Sequence, residues 1–333
     1  MIDQKEDLII ITKCRPIGGA QRVAISQSKA LDIKVIFYFG LKTDFLSNVS
    51  FKPVLSFDFL KAIFSAVRIH THSTLAGWLG RLLGNLSNKR VYHTFHGFNS
   101  ENGKNGLLYK RIERLFSFFN FDAVFVCSSD LSRAIDHGYV KPTHRKNVIY
   151  NPSISAVLYK ERTITDSENL RLISIARCSS QKDFKTLSKA LLEVSNVYVD
   201  NYGGGAINEY SESFGHSQLV FKGEVDNLAE LIGSYDAGIL ISNDEGFPVS
   251  VLEMLSVDLP VIVSDVGGCS EIFDLGIDGY LVERHSVKGV VEALNALKND
   301  KNRTDRTGIN ADIWKNNFSE KQYKQKYTEI IKL

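Results

Sequence analysis

The stretch NDEGFPVSVLEML (residues 243–255) sets two carboxylates, Glu245 and Glu253, eight positions apart across the start of a helix. The apolar run Ala237–Ser242 before it reads as a strand. Pro248 suits a first helical turn, where its missing N–H costs nothing. The N–H groups from Gly246 and Phe247 to Val249 and Ser250 are then free to meet an anion. A carboxylate accepts two hydrogen bonds in a fork, and the vicinal hydroxyls of a ribose or hexose offer two donors in matching geometry. The pair therefore reads as polyol recognition on both sides of a phosphate-binding helix start. A competing reading makes Glu245 a partner of the helix dipole and Glu253 a surface residue. Spacing alone does not separate the two.

Four other loops carry groups of the same character. Gly18-Gly19, after the apolar run 8–12, allows close approach of the backbone to a ligand and opens a helix, which suits a diphosphate. The loop is not GxGxxG, and no acid closes a second strand about 20 residues on, so a nicotinamide dinucleotide fits poorly. In IARCSSQKDFKTL (175–187), Arg177 follows a strand and Lys182 precedes a helix whose N-cap is Asp183. Two cations at a helix start make a dense positive site for phosphate. In VSDVGGCSEIF (263–273), Gly267-Gly268 turns after a strand and Glu271 lies just inside the next helix. In VYHTFHGF (91–98), His93 and His96 fall at a strand end, where an imidazole can hydrogen-bond a sugar or act as acid or base. No set of His, Asp and Cys has metal-ligand spacing, so a metal site is not expected.

Parallel sheets are what would bring such loops together. Apolar runs near 8–12, 33–39, 68–72, 90–95, 122–127 and 147–150 alternate with stretches of helical period near 20–30, 55–67, 74–87, 106–119 and 129–137. The rhythm resumes with strands near 170–176, 197–202, 218–222, 237–242, 260–264 and 279–282, and helices near 184–195, 227–235, 249–256 and 286–298. Such alternation predicts an α/β chain with parallel sheets covered on both faces. Asn151-Pro152 opens a polar interruption over 151–169, read as an interdomain linker. The expected division is 1–155, 156–315 and a last segment 316–333 that carries Tyr323, Tyr327, Ile330 and Ile331 at helical spacing. Ligands bind at the carboxyl ends of strands in doubly wound sheets, where all five loops fall.

The 333 residues and 44% hydrophobic content fit two globular domains. No stretch reaches the roughly 18 uninterrupted apolar residues of a membrane span. The N-terminus has acids before a short apolar run, unlike a signal peptide, and four dispersed cysteines without a CxxC pair point to reduced thiols in a cytoplasmic protein. Net charge is +2, yet residues 1–150 hold 21 Lys and Arg against 11 Asp and Glu, while residues 151–333 hold 19 against 27. The first half is thus expected to meet something anionic. Segment 104–121 mixes Lys104, Lys110, Arg111 and Arg114 with Leu107, Leu108, Phe116, Phe118 and Phe119. Such a basic, aromatic helix reads as contact with an anionic inner leaflet, or as an ordinary helix with one solvated face.

Taken in order, these stretches resemble the GT-B retaining glycosyltransferases of the family 4 type that build bacterial polysaccharides. Gly18-Gly19-Ala20-Gln21-Arg22 looks like the family's N-terminal glycine loop, HTFHGF like its strand-end histidine motif, and IARCSSQKDFKTL like its Arg and Lys phosphate site. Residues 243–273 resemble its E-x7-E signature and the GG-x-x-E that follows. The resemblance implies two Rossmann-like domains facing a cleft, with the final helix returning to the N-terminal domain. It implies that Arg177 and Lys182, with the helix start at Phe247 and Pro248, hold the donor diphosphate, joined by Gly18 and Gly19. Glu253 would take the ribose, and Glu245 and His96 the transferred sugar. Gly246, Val249, His93, Gly268 and Glu271 are further cleft candidates.

It implies a nucleoside-diphosphate sugar as substrate, no cofactor or metal, a lipid-linked glycan acceptor and no nucleic acid. Gln21 stands where the family often has Glu, and Ala176 and Cys178 replace the commoner Gly and Leu around Arg177. A nucleotide-sugar epimerase, a sugar phosphorylase and a non-catalytic sugar-nucleotide binder remain open as alternatives.

Overall fold

The computed structural model describes residues 7–12, 19–33, 35–38, 50–54, 56–98, 101, 105–153, 169–225, 228–300 and 307–332. The chain divides into two units: residues 1–154 with 320–333, and residues 155–319.

In the first unit the elements run β1 (Leu8–Ile11), α1 (Gly19–Ala30), β2 (Val35–Tyr38), β3 (Ser50–Pro53), α2 (Phe57–Ser65), β4 (Arg68–His72), α3 (Thr74–Leu86), β5 (Arg90–Phe95), α4 (Gly106–Phe116), β6 (Asp122–Phe125), α5 (Ser128–Asp136) and β7 (Lys146–Val148). All strand pairs are parallel, in the order β3-β2-β1-β4-β5-β6-β7. β1 is buried on both faces, which its continuous apolar run requires. On one face Ile10, Ile69, Val91 and Phe125 pack with Phe59, Ile63 and Ala76 of α2 and α3. On the other Ile9, Ile11 and Ile36 pack with Ala24 and Ile25 of α1.

The second unit continues with β8 (Leu170–Ile175), α6 (Phe184–Leu192), β9 (Val197–Tyr202), α7 (Ile207–Phe214), β10 (Leu219–Gly223), α8 (Leu228–Ile232), β11 (Ala237–Leu240), α9 (Val249–Leu255), β12 (Val261–Ser264), α10 (Cys269–Phe273), β13 (Gly279–Val282), α11 (Val287–Asn299) and α12 (Ile309–Asn317). Its six strands are also parallel, in the order β10-β9-β8-β11-β12-β13. Asp183 caps α6, accepting from the Thr186 amide at 3.1 Å, and Leu187, Ala190, Leu191 and Val194 form its buried stripe.

The last helix, α13 (Glu320–Lys332), belongs to the first unit, where Tyr327 hydroxyl lies 3.0 Å from His70 Nδ1 and Ser26 Oγ donates to Glu320 at 3.3 Å. The expected segment 316–333 thus begins four residues early. Phe318 still packs in the second unit, its ring 5.5 Å from that of Phe247.

Three elements were not expected. β3 ends in Pro53 and lies at a sheet edge, where a residue without an N–H is tolerated. α7 buries no residue fully, although Ile207, Tyr210 and Phe214 fall on one face at helical spacing. α12 is polar and is held by the buried side chain of Asn310, which donates to the Leu259 carbonyl at 2.8 Å. The linker read at 151–169 lies mostly outside the described residues.

Candidate functional site

Sheet order places the second unit's candidate residues at one spot. The strand order reverses between β8 and β11, and ligands in open α/β sheets bind at the carboxyl ends of strands at such a reversal. Arg177 and Lys182 lie in the loop after β8, and Glu245 in the loop after β11. The two loops are tied together by backbone bonds: Asp183 amide to Ile241 carbonyl at 2.9 Å, and Asn243 amide to Gln181 carbonyl at 2.8 Å.

Glu245 is buried and receives Lys182 Nζ on Oε1 as a direct ion pair. Ser242 Oγ donates to the same oxygen at 2.7 Å. Among the described residues, Oε2 has only Gln181 Nε2, at 3.5 Å. The Lys182 side chain is 11% exposed, and its ammonium has three donors, of which the pair uses one. Two residues read separately, one for phosphate and one for sugar, are therefore a single unit that aims the ammonium and leaves Oε2 open to a hydroxyl. Arg177 is exposed and makes no ion pair with a described residue. Its loop is braced by a segment the sequence reading passed over, NYGGGA (201–206): Cys178 amide donates to Gly204 carbonyl at 2.8 Å, and Ala206 amide to Cys178 carbonyl at 3.2 Å. Three glycines after a strand were the available signal.

Pro248 adopts extended backbone as the N-cap of α9, one position earlier than expected, so the helix proper starts at Val249. Val249 and Phe247 are buried. Glu253 is 3% exposed inside a helix whose neighbours Val251, Leu252, Met254 and Leu255 are all buried, which removes the reading of a surface residue. A carboxylate so placed is costly unless partnered, and it is partnered in the structure. Gly246 carbonyl accepts from the Gly268 amide at 2.8 Å. Gly267 has φ +55°, and a Cβ there would lie 1.6 Å from the Glu245 carbonyl oxygen. Glycine is therefore required at 267, since any side chain would displace the backbone of Glu245. Gly268 caps α10, whose first turn carries the half-buried Glu271.

In the first unit Gly18 lies outside the described residues, and Gly19 is the exposed first residue of α1. His96 follows β5 and is partly buried. Its Nε2 lies 2.9 Å from His72 Nδ1, and burial pushes its pKa down to about 3. His93 is a correction to the sequence reading. It is 1% exposed, its Nδ1 lies 2.9 Å from Thr71 Oγ1, and α3 lies so close at Gly77 that a Cβ there would meet the ring at 2.2 Å. Its role is packing beneath α3. Burial and the nearby Arg81 hold it neutral, well below the ordinary histidine range.

The basic segment 104–121 forms α4 only to Phe116. Phe116 turns inward to stack on Trp78 at 5.8 Å, while Leu107, Leu108, Leu115 and Phe118 are exposed beside Arg111 and Arg114. Among the described residues no helix is long and apolar enough to cross a membrane.

Comparison with known proteins gives this arrangement a family. The model of "Glycosyl transferases group 1" matches residues 159–314, and that of "Glycosyltransferase Family 4" matches residues 27–152. The chain is 26% identical over 333 residues to the UDP-Gal:alpha-D-GlcNAc-diphosphoundecaprenol alpha-1,3-galactosyltransferase of Escherichia coli, covering 86% of each. It is 29% identical over 116 residues to the N,N'-diacetylbacillosaminyl-diphospho-undecaprenol alpha-1,3-N-acetylgalactosaminyltransferase of Campylobacter jejuni, across 34% of this chain and 31% of that one. Among solved structures, Anabaena HepE in complex with UDP and glucose superposes with a TM-score of 0.82 at 16% identity, over 99% of this chain and 100% of that one. The lipopolysaccharide glycosyltransferase WaaG superposes with a TM-score of 0.72 at 15% identity, over 98% and 99%. The two family models divide the chain nearly where its two units divide, and the chain is a GT-B glycosyltransferase of the group 1, family 4 type.

Proposed function

We propose that the chain is a retaining glycosyltransferase that moves a hexose or N-acetylhexosamine from a UDP-sugar to a hydroxyl of a lipid-linked or polysaccharide acceptor in cell-surface glycan synthesis. The observation that carries this reading is the Lys182–Glu245 pair at the carboxyl ends of β8 and β11. Its ammonium suits a diphosphate and its open carboxylate oxygen suits a sugar hydroxyl. The diphosphoundecaprenol-linked substrates in the names of the two relatives support a lipid-diphosphate acceptor, and the HepE complex supports a uridine nucleotide.

In this reading Arg177 and Lys182 bind the diphosphate, Glu253 the ribose, and Glu245 and His96 the transferred sugar. The acceptor oxygen attacks the anomeric carbon on the face from which UDP departs. The sugar–phosphate bond breaks, and a β-phosphate oxygen takes the acceptor's proton. Cationic side chains stabilise the leaving UDP without a metal. Titration of UDP into wild type and Lys182→Ala tests the assignment. Loss of one charge-assisted bond is worth about 2 kcal/mol, or roughly a thirtyfold rise in Kd. Undiminished binding would remove Lys182 from the site, and a mass-spectrometric screen of UDP- and GDP-sugars identifies the donor.

The same proposal places the first unit on the anionic inner leaflet of the cytoplasmic membrane. Exposed Leu107, Leu108, Leu115 and Phe118 of the α4 region, and Phe57, Leu60 and Phe64 of α2, support it, as does the excess of basic residues in this half. Co-sedimentation with liposomes is expected to rise with anionic lipid and fall with salt. Equal binding to neutral and anionic liposomes at low salt argues against it.

A further inference from the structure

The first unit contains a line of buried polar side chains that the reading above leaves unused. Asp7 accepts from Arg68 Nε at 2.8 Å on Oδ1, and its Oδ2 lies 3.2 Å from His70 Nε2. His70 Nδ1 lies 3.1 Å from Gln27 Nε2 and 3.0 Å from Tyr327 hydroxyl. Gln27 Oε1 is hydrogen-bonded to His72 Nε2, and His72 Nδ1 lies 2.9 Å from His96 Nε2. Gln27, His70 and His72 are fully buried, and of the three histidines only His96 is not.

The direction of every bond follows from one end. Asp7, ion-paired with Arg68, is a carboxylate and can only accept, so His70 Nε2 carries the hydrogen. A neutral imidazole protonated at Nε2 offers Nδ1 as an acceptor, and both of its neighbours can donate to it. Gln27 must therefore turn its amide nitrogen to His70 and its carbonyl oxygen to His72. That oxygen only accepts, so His72 is protonated at Nε2 and accepts at Nδ1. His96 Nε2 must then be the donor. Burial keeps the three rings neutral: it lowers His70 despite Asp7 and lowers His72 further, with help from His96. His96 is left with an unprotonated Nδ1 that has no hydrogen-bond partner among the described residues.

We infer that Asp7, His70, Gln27 and His72 are positioning residues that lock His96 in its Nε2–H tautomer, so that Nδ1 meets the ligand as an acceptor for a hydroxyl. A phosphate or carboxylate oxygen, an acceptor itself, gains nothing there. That the hydroxyl belongs to a sugar rests on the proposed function. The relay itself rests only on bonds within the first unit, and α13 takes part in it through Tyr327.

The test is long-range proton–nitrogen NMR of the full-length protein labelled at histidine, with the His96 signals assigned by their loss in His96→Ala. Wild type is expected to show His96 protonated at Nε2 and bare at Nδ1. Gln27→Met removes the acceptor that orders His72, so His72 and His96 are expected to mix tautomers. Turnover of UDP-sugar is then expected to fall about tenfold with the Kd of UDP unchanged, the worth of one oriented hydrogen bond. Asp7→Asn perturbs the less buried end and keeps the test valid if Gln27→Met does not fold; it is expected to shift the same signals to a smaller extent. A wild-type His96 protonated at Nδ1, or tautomers unchanged in both variants, overturns the inference. The expected tautomers in a protein that turns over no UDP-sugar support the relay and reject the proposed function.

Discussion

Glu245 and Glu253 have different surroundings, and this separates their expected phenotypes. Glu245 shares one oxygen with Lys182 and Ser242 and keeps the other almost free, so Glu245→Ala removes the partner that aims Lys182 as well as the sugar contact. Turnover is expected to fall by about a hundredfold, the scale of a misplaced reactant, with a smaller change in UDP affinity. Glu253 lies inside α9, and Glu253→Gln keeps its volume while removing its charge. The Kd of UDP is expected to rise with turnover at saturating donor little altered, as for a contact made equally in ground and transition states. Calorimetric titration and steady-state kinetics on both variants check this, and matching phenotypes would refute the division of labour. The residue types and their order were legible in the sequence, because a βα loop places whatever follows its strand. The bracing by Gln181 and by the glycines at 203–205 was not, because each acts on a loop that follows another strand. Nor was the burial of His93, which depends on how near α3 approaches at Gly77.

At the scale of elements, the layer of helices over β4 and β5 is pinned by a buried ion pair that no periodicity announces. Arg81 on α3 is fully buried, its Nη2 is 2.6 Å from Glu113 Oε1 on α4, and its guanidinium lies over the rings of Phe95, Phe116 and Phe121. Trp78 Nε1 donates to the other Glu113 oxygen at 2.7 Å. Strand runs and helical stripes located most elements, because one face of each must be apolar. A charged pair inside the layer inverts that pattern, so the sequence left α4 open between membrane contact and an ordinary helix with one solvated face. Glu113→Ala leaves a buried guanidinium uncompensated and is expected to cost about 3–5 kcal/mol, whereas Arg81→Met with Glu113→Leu removes both charges and is expected to cost less. Urea unfolding followed by fluorescence distinguishes them; a single variant as stable as wild type would show that the pair does not hold α3 to α4.

For the whole molecule, the uneven distribution of histidines predicts an uneven response to acid. His70, His72, His93, His96, His137 and His144 lie in the first unit, and only His216 and His285 in the second. Burial lowers the pKa of His70, His72, His93, His96 and His144. In the unfolded chain a histidine protonates near pH 6.5, while in the fold these stay neutral. Between those values the unfolded state binds more protons, so stability is whole above about pH 6.5 and is lost as pH falls. His96, at about 3, contributes at most about 2 kcal/mol of that loss by pH 5. In the second unit burial pushes the Asp183 carboxyl up, but hydrogen bonds from Thr186 and His285 outweigh it and hold the pKa below 3.8. Its stabilising effect is present above that value and is lost only at lower pH. The two tryptophans divide between the units, Trp78 in the first and Trp314 in the second. Trp314→Phe therefore reports the first unit and Trp78→Phe the second. From pH 7 to pH 5 the urea midpoint seen by Trp78 is expected to fall while that seen by Trp314 holds. Equal shifts at both reporters would mean that the buried histidines do not set the acid limit of the fold.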